Sequence, residues 1–160
     1  MAYVDYEFYT ESFYGSAVPE DVFEKWAELA SDRIDMLTFD RLTHNYPTDE
    51  TAQKKIKKAV CAVAETLYQI DVIRQAAIDA AGVVTNSDGT VTSRRVTGVS
   101  SGTESITFSS GSTSSRSETS VYESAAADST EEDSLVSHAA WPYLNGVRDS
   151  AGTLVLYGGF

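Results

Sequence analysis

Apolar residues recur at spacings of three and four near the start of the chain, which is typical of a helix with one buried face. Pro19 suits the first position of such a helix, and the acidic residues after it favour the positive end of the helix dipole. The apolar positions are Phe23, Trp26, Ala27, Ala30, Ile34 and Leu37. They predict an amphipathic helix of roughly five turns.

A second and longer helical pattern begins after Pro47. Thr48 is the predicted N-cap, with Asp49 and Glu50 in the first turn. One face carries Ala52, Ile56, Ala59, Val60, Val63, Leu67 and Ile70. The pattern continues to Ala81, and Gly82 is a natural C-cap.

The middle of the chain changes from helical to strand-like. Between Thr85 and Ser120, 20 of 36 residues are Ser or Thr, a composition that also fits low-complexity disorder. Against disorder, residues 90–96 and 104–109 alternate apolar and polar side chains, which predicts a β-hairpin with a long loop. An isolated hairpin is marginally stable. Its apolar residues should therefore pack on the helices or on another subunit, and they are Val91, Val96, Ile106 and Phe108.

The last part of the chain begins with an acidic helix over 129–144. Residues 129–132 read Ser-Thr-Glu-Glu, the pattern of a capping box. Pro142 is expected to end or kink this helix. Residues 109–120, between the hairpin and this helix, are expected to form a mobile connector.

Residues 153–160 form a short apolar run with strand propensity. The unpaired backbone groups of a lone strand pair readily with another sheet edge. The run is therefore predicted either to close a sheet within its own fold or to add a strand to a neighbouring chain. The residues expected to bind a partner are Leu154, Val155, Leu156, Tyr157 and Gly158.

These patterns predict one mainly α domain over residues 1–160, with about three helices, an inserted β-hairpin and an extended C-terminal tail. The helical core covers 1–84, the Ser/Thr-rich hairpin and connector 85–120, the final helix 129–144 and the tail 153–160.

The composition narrows the range of functions. The formal net charge is −12, which disfavours a nucleic-acid-binding face because such a face is basic. An acidic wall would still let DNA pass nearby, since it repels DNA and keeps it mobile. The single cysteine, Cys61, excludes an internal disulfide, and its apolar helical surroundings predict a buried side chain rather than a nucleophile.

Motifs for catalysis or cofactor binding are missing from the sequence. His44 and His138 each lack a metal-ligand partner at helical spacing. The chain contains no Gly-rich phosphate loop, nucleophile elbow or zinc-protease motif. We therefore expect a protein without enzymatic activity, metal or cofactor.

The sequence also gives expectations about location. Its apolar runs are too short to span a bilayer, and the N-terminus lacks the basic start of a signal peptide. These features predict synthesis in a cytoplasm and no membrane partner.

Two clusters indicate contact surfaces. Six aromatic residues crowd the start of the chain: Tyr3, Tyr6, Phe8, Tyr9, Phe13 and Tyr14. They should pack on the helices or on a partner, with packing inside the domain favoured. The dense basic cluster Lys54, Lys55, Lys57 and Lys58 indicates a solvated face opposite acidic residues more than a phosphate site.

Several of these segments, in this order, resemble the head–tail connector (adaptor) proteins of long-tailed bacteriophages. The similar segments are the aromatic-acidic opening, the helix after Pro19, residues 33–38 and 41–42, Ala59–Cys61 with Ala64 and Glu65, the Ser/Thr-rich hairpin, and the ending with Tyr143, Leu144, Leu154, Leu156, Tyr157 and Gly158. Asp35 and Thr38 match the family motif, and we expect them to cap or hydrogen-bond a bend after the first helix.

The resemblance implies a structural role. Members of this family form a ring, usually of twelve copies, that docks beneath the portal protein and continues the DNA channel toward the tail. The implied partners are further copies of the chain, the portal and a stopper or tail-completion protein, and DNA passes through without specific binding. The implied location is the head–tail junction of the virion, after assembly in the host cytoplasm.

Acidic residues on two helices are candidates for the channel lining. They are Glu24, Glu28 and Asp32 on the first helix and Glu131, Glu132 and Asp133 on the last. The competing interpretation is that both sets only keep the subunit soluble.

Two other functions stay open from the sequence. The first is a tail-terminator or stopper protein of the phage neck, although such proteins tend to be β-rich. The second is an acidic adaptor or inhibitor that binds one basic partner as a monomer.

Overall fold

A computed structural model describes residues 2–80, 83–85, 91–93, 99–101, 104–106 and 118–156. The helices are α1 (Tyr6–Glu11), α2 (Glu20–Leu37), α3 (Arg41–His44), α4 (Glu50–Ala80), α5 (Glu118–Ala127) and α6 (Ser129–Leu144). The strands are β1 (Val83–Thr85), β2 (Val91–Ser93), β3 (Val99–Ser101) and β4 (Glu104–Ile106). The fold is mainly α, as the sequence predicted.

The central helix α4 holds the fold together, because α2, α5 and α6 all pack against it. Its apolar positions are buried around most of its circumference, so it is a core helix rather than a surface helix. The fully buried side chains of α4 are Ile56, Ala59, Val60, Cys61, Val63 and Ala64. From α2 and α6 they meet Ala27, Ala30, Ile34, Val136, Ala140 and Leu144 in one cluster.

The hairpin predicted between residues 90–96 and 104–109 is not seen. Instead, β1 pairs antiparallel with β2, and β3 pairs antiparallel with β4. Each strand therefore pairs with its neighbour in sequence, and closing these shorter loops costs less chain entropy than closing the predicted one. Val91 and Ile106 lie in different hairpins, opposite Thr85 and Val99. Val96, Phe108 and most of the predicted connector lie outside the described residues.

The helix α5 was not predicted. It covers residues 118–127, where the sequence indicated the end of a connector, and it packs against α4 and α6. Its apolar side chains have weak helical periodicity, so these tertiary contacts rather than local pattern stabilise it. Ala125 is fully buried in the described structure.

Both predicted N-caps are wrong by one residue. Asp49, not Thr48, precedes α4, and its Oδ2 accepts a hydrogen bond from the Ala52 amide at 2.8 Å. Asp128, not Ser129, caps α6, and its Oδ1 accepts from the Thr130 amide at 2.8 Å. In each case an aspartate lies next to the predicted Ser or Thr, and the aspartate carboxylate accepts the N-cap hydrogen bond.

Pro142 does not end α6, which continues to Leu144. The proline lies in the final turn, where its ring removes one backbone hydrogen bond and little helix remains to be kinked. The Asn145 amide still bonds to the Trp141 carbonyl at 3.0 Å, which closes the helix after the proline.

The N-terminal aromatic residues pack mostly within the domain. Tyr9 is fully buried, and its ring lies 4.7 Å from that of Phe23 on α2. Tyr6, Phe8 and Phe13 are partly buried against the same core. The exception is Tyr14, which is 84% exposed.

Candidate functional site

An apolar groove of about 470 Å³ lies where α2, α6 and the C-terminal segment meet. Leu37, the last residue of α2, forms one wall, and Leu156 forms another. The remaining lining comes from α6: Asp133, Ser134, Ser137, His138, Ala140 and Trp141. These residues recur at helical spacing, so one face of α6 forms the floor with polar groups at one end and apolar groups at the other. We refer to this site as the α2/α6 groove.

The C-terminal segment is fixed beside the groove by backbone pairing within the chain. Arg148 and Leu154 form an antiparallel bridge, and the Val155 amide donates to the Val147 carbonyl at 3.0 Å. The Arg41 guanidinium donates to the Leu154 carbonyl from α3. Val155 is fully buried as a result.

The predicted binding tail is thereby divided into parts with different surroundings. Val155 and Leu156 belong to the chain's own core, whereas Leu154 is 39% exposed. Tyr157 and Gly158 lie outside the described residues. Residues 154–156 pair and pack within their own fold through a single antiparallel bridge rather than a sheet. Addition of a strand to a neighbouring chain stays a prediction.

Two exposed apolar side chains lie at the end of α2, and one of them, Met36, lines a pocket that shares Leu37, Asp133 and Ser137 with the groove. Met36 is 67% exposed and Phe39 is 70% exposed. Phe39 and Asp40 have left-handed backbone conformations, with φ of 53° and 57°. This conformation costs roughly 1–2 kcal/mol for a residue other than glycine. Interactions elsewhere in the fold must therefore offset the backbone strain of the turn that contains Phe39.

Asp35 and Thr38 stabilise this turn, in agreement with their predicted structural role. The Thr38 hydroxyl donates to the Ile34 carbonyl at 2.9 Å, and the Asp40 amide donates to the Asp35 carbonyl at 2.9 Å. The Asp35 carboxylate accepts from the Tyr3 hydroxyl at 2.6 Å. Burial raises the pKa of this carboxyl, and the hydrogen bond from Tyr3 offsets part of that effect.

The predicted channel-lining acids fall into two groups. Glu24, Glu28, Asp32 and Glu131 are exposed. Glu132 is instead only 12% exposed and accepts hydrogen bonds from Arg33 of α2 and Arg74 of α4, both at 2.9 Å. Asp133 is 63% exposed and bonds to Arg33 at 2.8 Å. Glu132 therefore joins three helices, a role that the sequence pattern did not reveal.

The lysine cluster on α4 meets solvent and the N-terminal helix. Lys54 and Lys55 are exposed, and the Lys57 ammonium lies 5.3 Å from the centre of the Phe8 ring. Such a contact is a cation–π interaction of modest strength at a surface. The cluster is a largely solvated face, as predicted.

The cysteine and the two histidines have different surroundings. Cys61 is buried, and burial raises the pKa of its thiol to about 12, which keeps it protonated at neutral pH. His138 lines the groove, whereas His44 faces the Asp40 carbonyl at 2.9 Å. Among the described residues, no group of three or more His, Cys, Asp or Glu side chains could hold a metal ion. Nor is any helix in that part of the chain long and apolar enough to cross a membrane.

The sequence did not indicate the groove or the strained turns. The groove combines residues 37, 133–141 and 156, which come together only through tertiary packing. Phe39 and Asp40 have no neighbouring glycine that would have marked a turn, whereas Tyr14 directly precedes Gly15 and its left-handed conformation was still not predicted.

Comparisons with protein-family models, with curated proteins and with solved structures find no match to this chain. The case for a function therefore rests on the sequence motifs and on the surfaces of the described residues.

Proposed function

We propose that this chain is a structural subunit of a ring at the bacteriophage head–tail junction, which docks beneath the portal and continues the DNA channel toward the tail. The α2/α6 groove carries this proposal, together with exposed Met36 in the adjoining pocket and exposed Phe39 just after α2. Contiguous apolar surface of this kind marks a protein–protein contact in a soluble domain. The resemblance of the sequence motifs to phage connector proteins supplies the biological setting.

Strain at the exposed turns also supports an assembly role. An isolated subunit gains little from holding Phe39 in a left-handed conformation with 70% of its surface in water. Costly local geometry is common where a surface must meet a ligand or partner. We expect a partner to cover Phe39 in the assembled ring.

The charge of the chain suits a DNA channel. A ring of about twelve copies at −12 each would repel DNA at close range, within the screening length of roughly 8 Å at physiological salt. Glu24, Glu28, Asp32 and Glu131 are the exposed members of the two acidic sets. Glu132 contributes less, because two arginines compensate its charge.

The portal and a stopper or tail-completion protein are the proposed neighbours along the channel axis. Leu154 is exposed next to the groove, and the chain continues from there through Tyr157 and Gly158. This apolar end is the part of the chain that we propose contacts the portal.

The first test is the mass of the purified protein in solution, measured with and without the portal of the same phage. We expect a large symmetric oligomer at high concentration or on the portal. A protein that stays monomeric in both conditions would contradict the ring and favour the monomeric adaptor. Imaging of the neck in intact particles would then locate the ring.

A matched pair of variants tests whether the proposed surface is responsible. Met36→Ser should weaken assembly, because it removes an apolar side chain that is 67% exposed beside the groove. Val72→Ser removes an apolar side chain that is 47% exposed on α4 and should have no effect. Equal behaviour of the two variants would show that the assembly uses another face.

A further inference from the structure

Tyr14 is the most exposed large apolar side chain of the described residues, with 84% of its surface in water. Its backbone is left-handed, with φ of 62°. Tyrosine at such a position is unusual, since Asn, Asp and Gly adopt this conformation at lower cost. The chain therefore presents an aromatic ring at a point where a small polar residue would be more stable.

The turn that carries Tyr14 packs closely against Tyr9. The Gly15 amide donates to the Tyr9 carbonyl at 2.9 Å, directly after the end of α1. Gly15 lies so close to the buried Tyr9 ring that a Cβ atom would approach Tyr9 Cε2 to 2.0 Å. Since Gly15 cannot move toward the core, Tyr14 is held in place and points away from it.

The α2/α6 groove has the chemistry to receive a tyrosine ring. Leu37, Trp141 and Leu156 offer apolar contact, and Ser134, Ser137 and His138 offer hydrogen-bonding partners along the same wall. A tyrosine buried at an interface needs both, because its ring is apolar and its hydroxyl must be satisfied.

Tyr14 and the groove lie on opposite sides of α6. Phe13, the residue before Tyr14, packs edge-on against Tyr143 of α6, with ring centroids 6.3 Å apart. Tyr143 follows Trp141 by two residues. In a helix with 3.6 residues per turn, this spacing places their side chains about 200° apart around the helix axis. Because Trp141 lines the groove, Tyr143 and the Tyr14 turn face away from it.

We propose that Tyr14 of one copy inserts into the α2/α6 groove of the next copy. A protruding ring and a receiving groove on opposite sides of one subunit make a head-to-tail contact, and repetition of such a contact closes into a ring when the rotation allows. This inference rests on the proposed function and identifies the residues through which neighbouring subunits meet.

The contact must extend beyond one side chain. A buried aromatic residue covers about 150–250 Å², whereas a stable interface buries about 1,200–2,000 Å² in total. Met36, which lines the adjoining pocket, and Leu154, which is 39% exposed two residues before Leu156, supply further apolar surface. Tyr14 is then the central anchor, and these residues surround it.

Cross-linking between two single-cysteine variants tests the contact directly. Ser16→Cys, which keeps the Tyr14 ring and is exposed two residues after it, should form a disulfide with Ser134→Cys in a second, mass-labelled copy of the full chain, since Ser134 is exposed and lines the groove. Ser129→Cys is the matched control, because Ser129 is exposed at the start of the same helix but does not line the groove. The native Cys61 is buried and stays out of the reaction.

A second measurement separates the role of the ring from that of the backbone. Tyr14→Asn keeps a residue that tolerates the left-handed conformation but removes the aromatic ring. We expect self-association to weaken by roughly 30-fold, the effect of losing an interface anchor, with no loss of thermal stability. Tyr14→Phe should retain most of the association.

The outcomes separate this contact from the proposed function. If the native protein forms a ring but Tyr14→Asn assembles normally and the Ser134 cross-link is absent, the Tyr14 contact is wrong and the ring stands. If Ser16→Cys copies link mainly to each other, the contact is two-fold and the head-to-tail arrangement is overturned. A native protein that stays monomeric with and without portal would overturn both.

Discussion

The hydroxyl of Tyr9 joins three parts of the chain that are far apart in sequence. It accepts a hydrogen bond from the Val18 amide at 3.0 Å and donates to Glu65 Oε1 on α4 at 2.7 Å. Tyr9 itself is fully buried. Burial, assisted by the Glu65 carboxylate, raises the pKa of Tyr9 above its usual value, so the hydroxyl stays protonated and able to donate.

Tyr9→Phe should therefore destabilise the fold by about 1–3 kcal/mol, since it leaves a buried amide and a carboxylate without their partner. The free energy of unfolding from urea titration measures this effect. Tyr14→Phe is the control, because its hydroxyl lies on a side chain that is 84% exposed. Equal stability of the two variants would mean that water replaces the Tyr9 hydroxyl at no cost.

Asp35 makes the stability depend on pH. Burial raises the pKa of its carboxyl in the folded protein, and the neighbouring acids Asp40 and Asp32 add to the effect, while the hydrogen bond from Tyr3 lowers it. The folded protein thus holds this proton more tightly than the unfolded chain does. Stability from this group is fully present below the ordinary pKa of Asp and is lost as pH rises through the raised value.

Asp35→Asn removes this titration while keeping an oxygen that can accept from Tyr3. We expect the unfolding free energy of the variant to rise relative to that of the native protein as pH increases from about 4 to 7. Paired unfolding curves across that range provide the measurement. A constant difference between the two proteins would exclude Asp35 as the titrating group.

Between elements, Glu132 is the main polar connection in the helical bundle. Its carboxylate accepts from Arg33 of α2 and from Arg74 of α4, so one side chain of α6 fixes the positions of two other helices. At 12% exposure the carboxylate is largely shielded from water, although the arginines are 32% and 44% exposed. The interaction is therefore stronger than a fully exposed pair but partly screened by solvent.

Glu132→Gln should lower the free energy of unfolding by about 1–2 kcal/mol, between the values for exposed ion pairs and for hydrogen bonds to charged groups. The loss should shrink as salt concentration rises. Asp133→Asn, at a side chain that is 63% exposed, should cost less than about 0.5 kcal/mol. The prediction fails if Asp133→Asn is the more damaging of the two.

At the scale of the whole molecule, the C-terminal segment contains core residues, followed by residues that we propose contact a partner. Val155 is fully buried and Leu156 lines the groove. Removal of both exposes core surface, and each buried apolar side chain stabilises the fold by about 1.5–3 kcal/mol. The two parts can be separated by truncation.

Deletion of residues 157–160 should leave the thermal midpoint close to that of the native protein and abolish attachment to heads. Deletion of residues 153–160 should also lower the midpoint, because it removes Val155 and Leu156 from the core. Attachment is measured by cosedimentation with capsids that carry portal. Normal attachment of the shorter deletion would rule out residues 157–160 as the portal contact.

The helices α2, α4 and α6 followed from the sequence, because each buries a face whose spacing is visible along the chain. The helices α1, α3 and α5 were not predicted. The last helix was predicted over 129–144, and both bounds match α6. For the first helix the predicted apolar positions extend to Leu37, which is also where α2 ends. The predictions failed where two local solutions compete: Asp49 against Thr48 as a cap, and adjacent strands against a long-loop hairpin. In both cases the two alternatives differ by a small free energy. The order of apolar and polar residues in the sequence does not show which alternative is the more stable.

The sequence by itself determined a mainly α chain with a buried cysteine, an aromatic start that packs inward, and an acidic surface, because periodicity and charge fix these properties locally. Only the tertiary structure decided that Leu37, Trp141 and Leu156 line one groove, that Glu132 meets Arg33 and Arg74, and that Tyr14 stays in solvent while Tyr9 is buried. The physical reason is distance along the chain: α2 and α6 are separated by about a hundred residues, and their contacts exist only after both helices pack on α4.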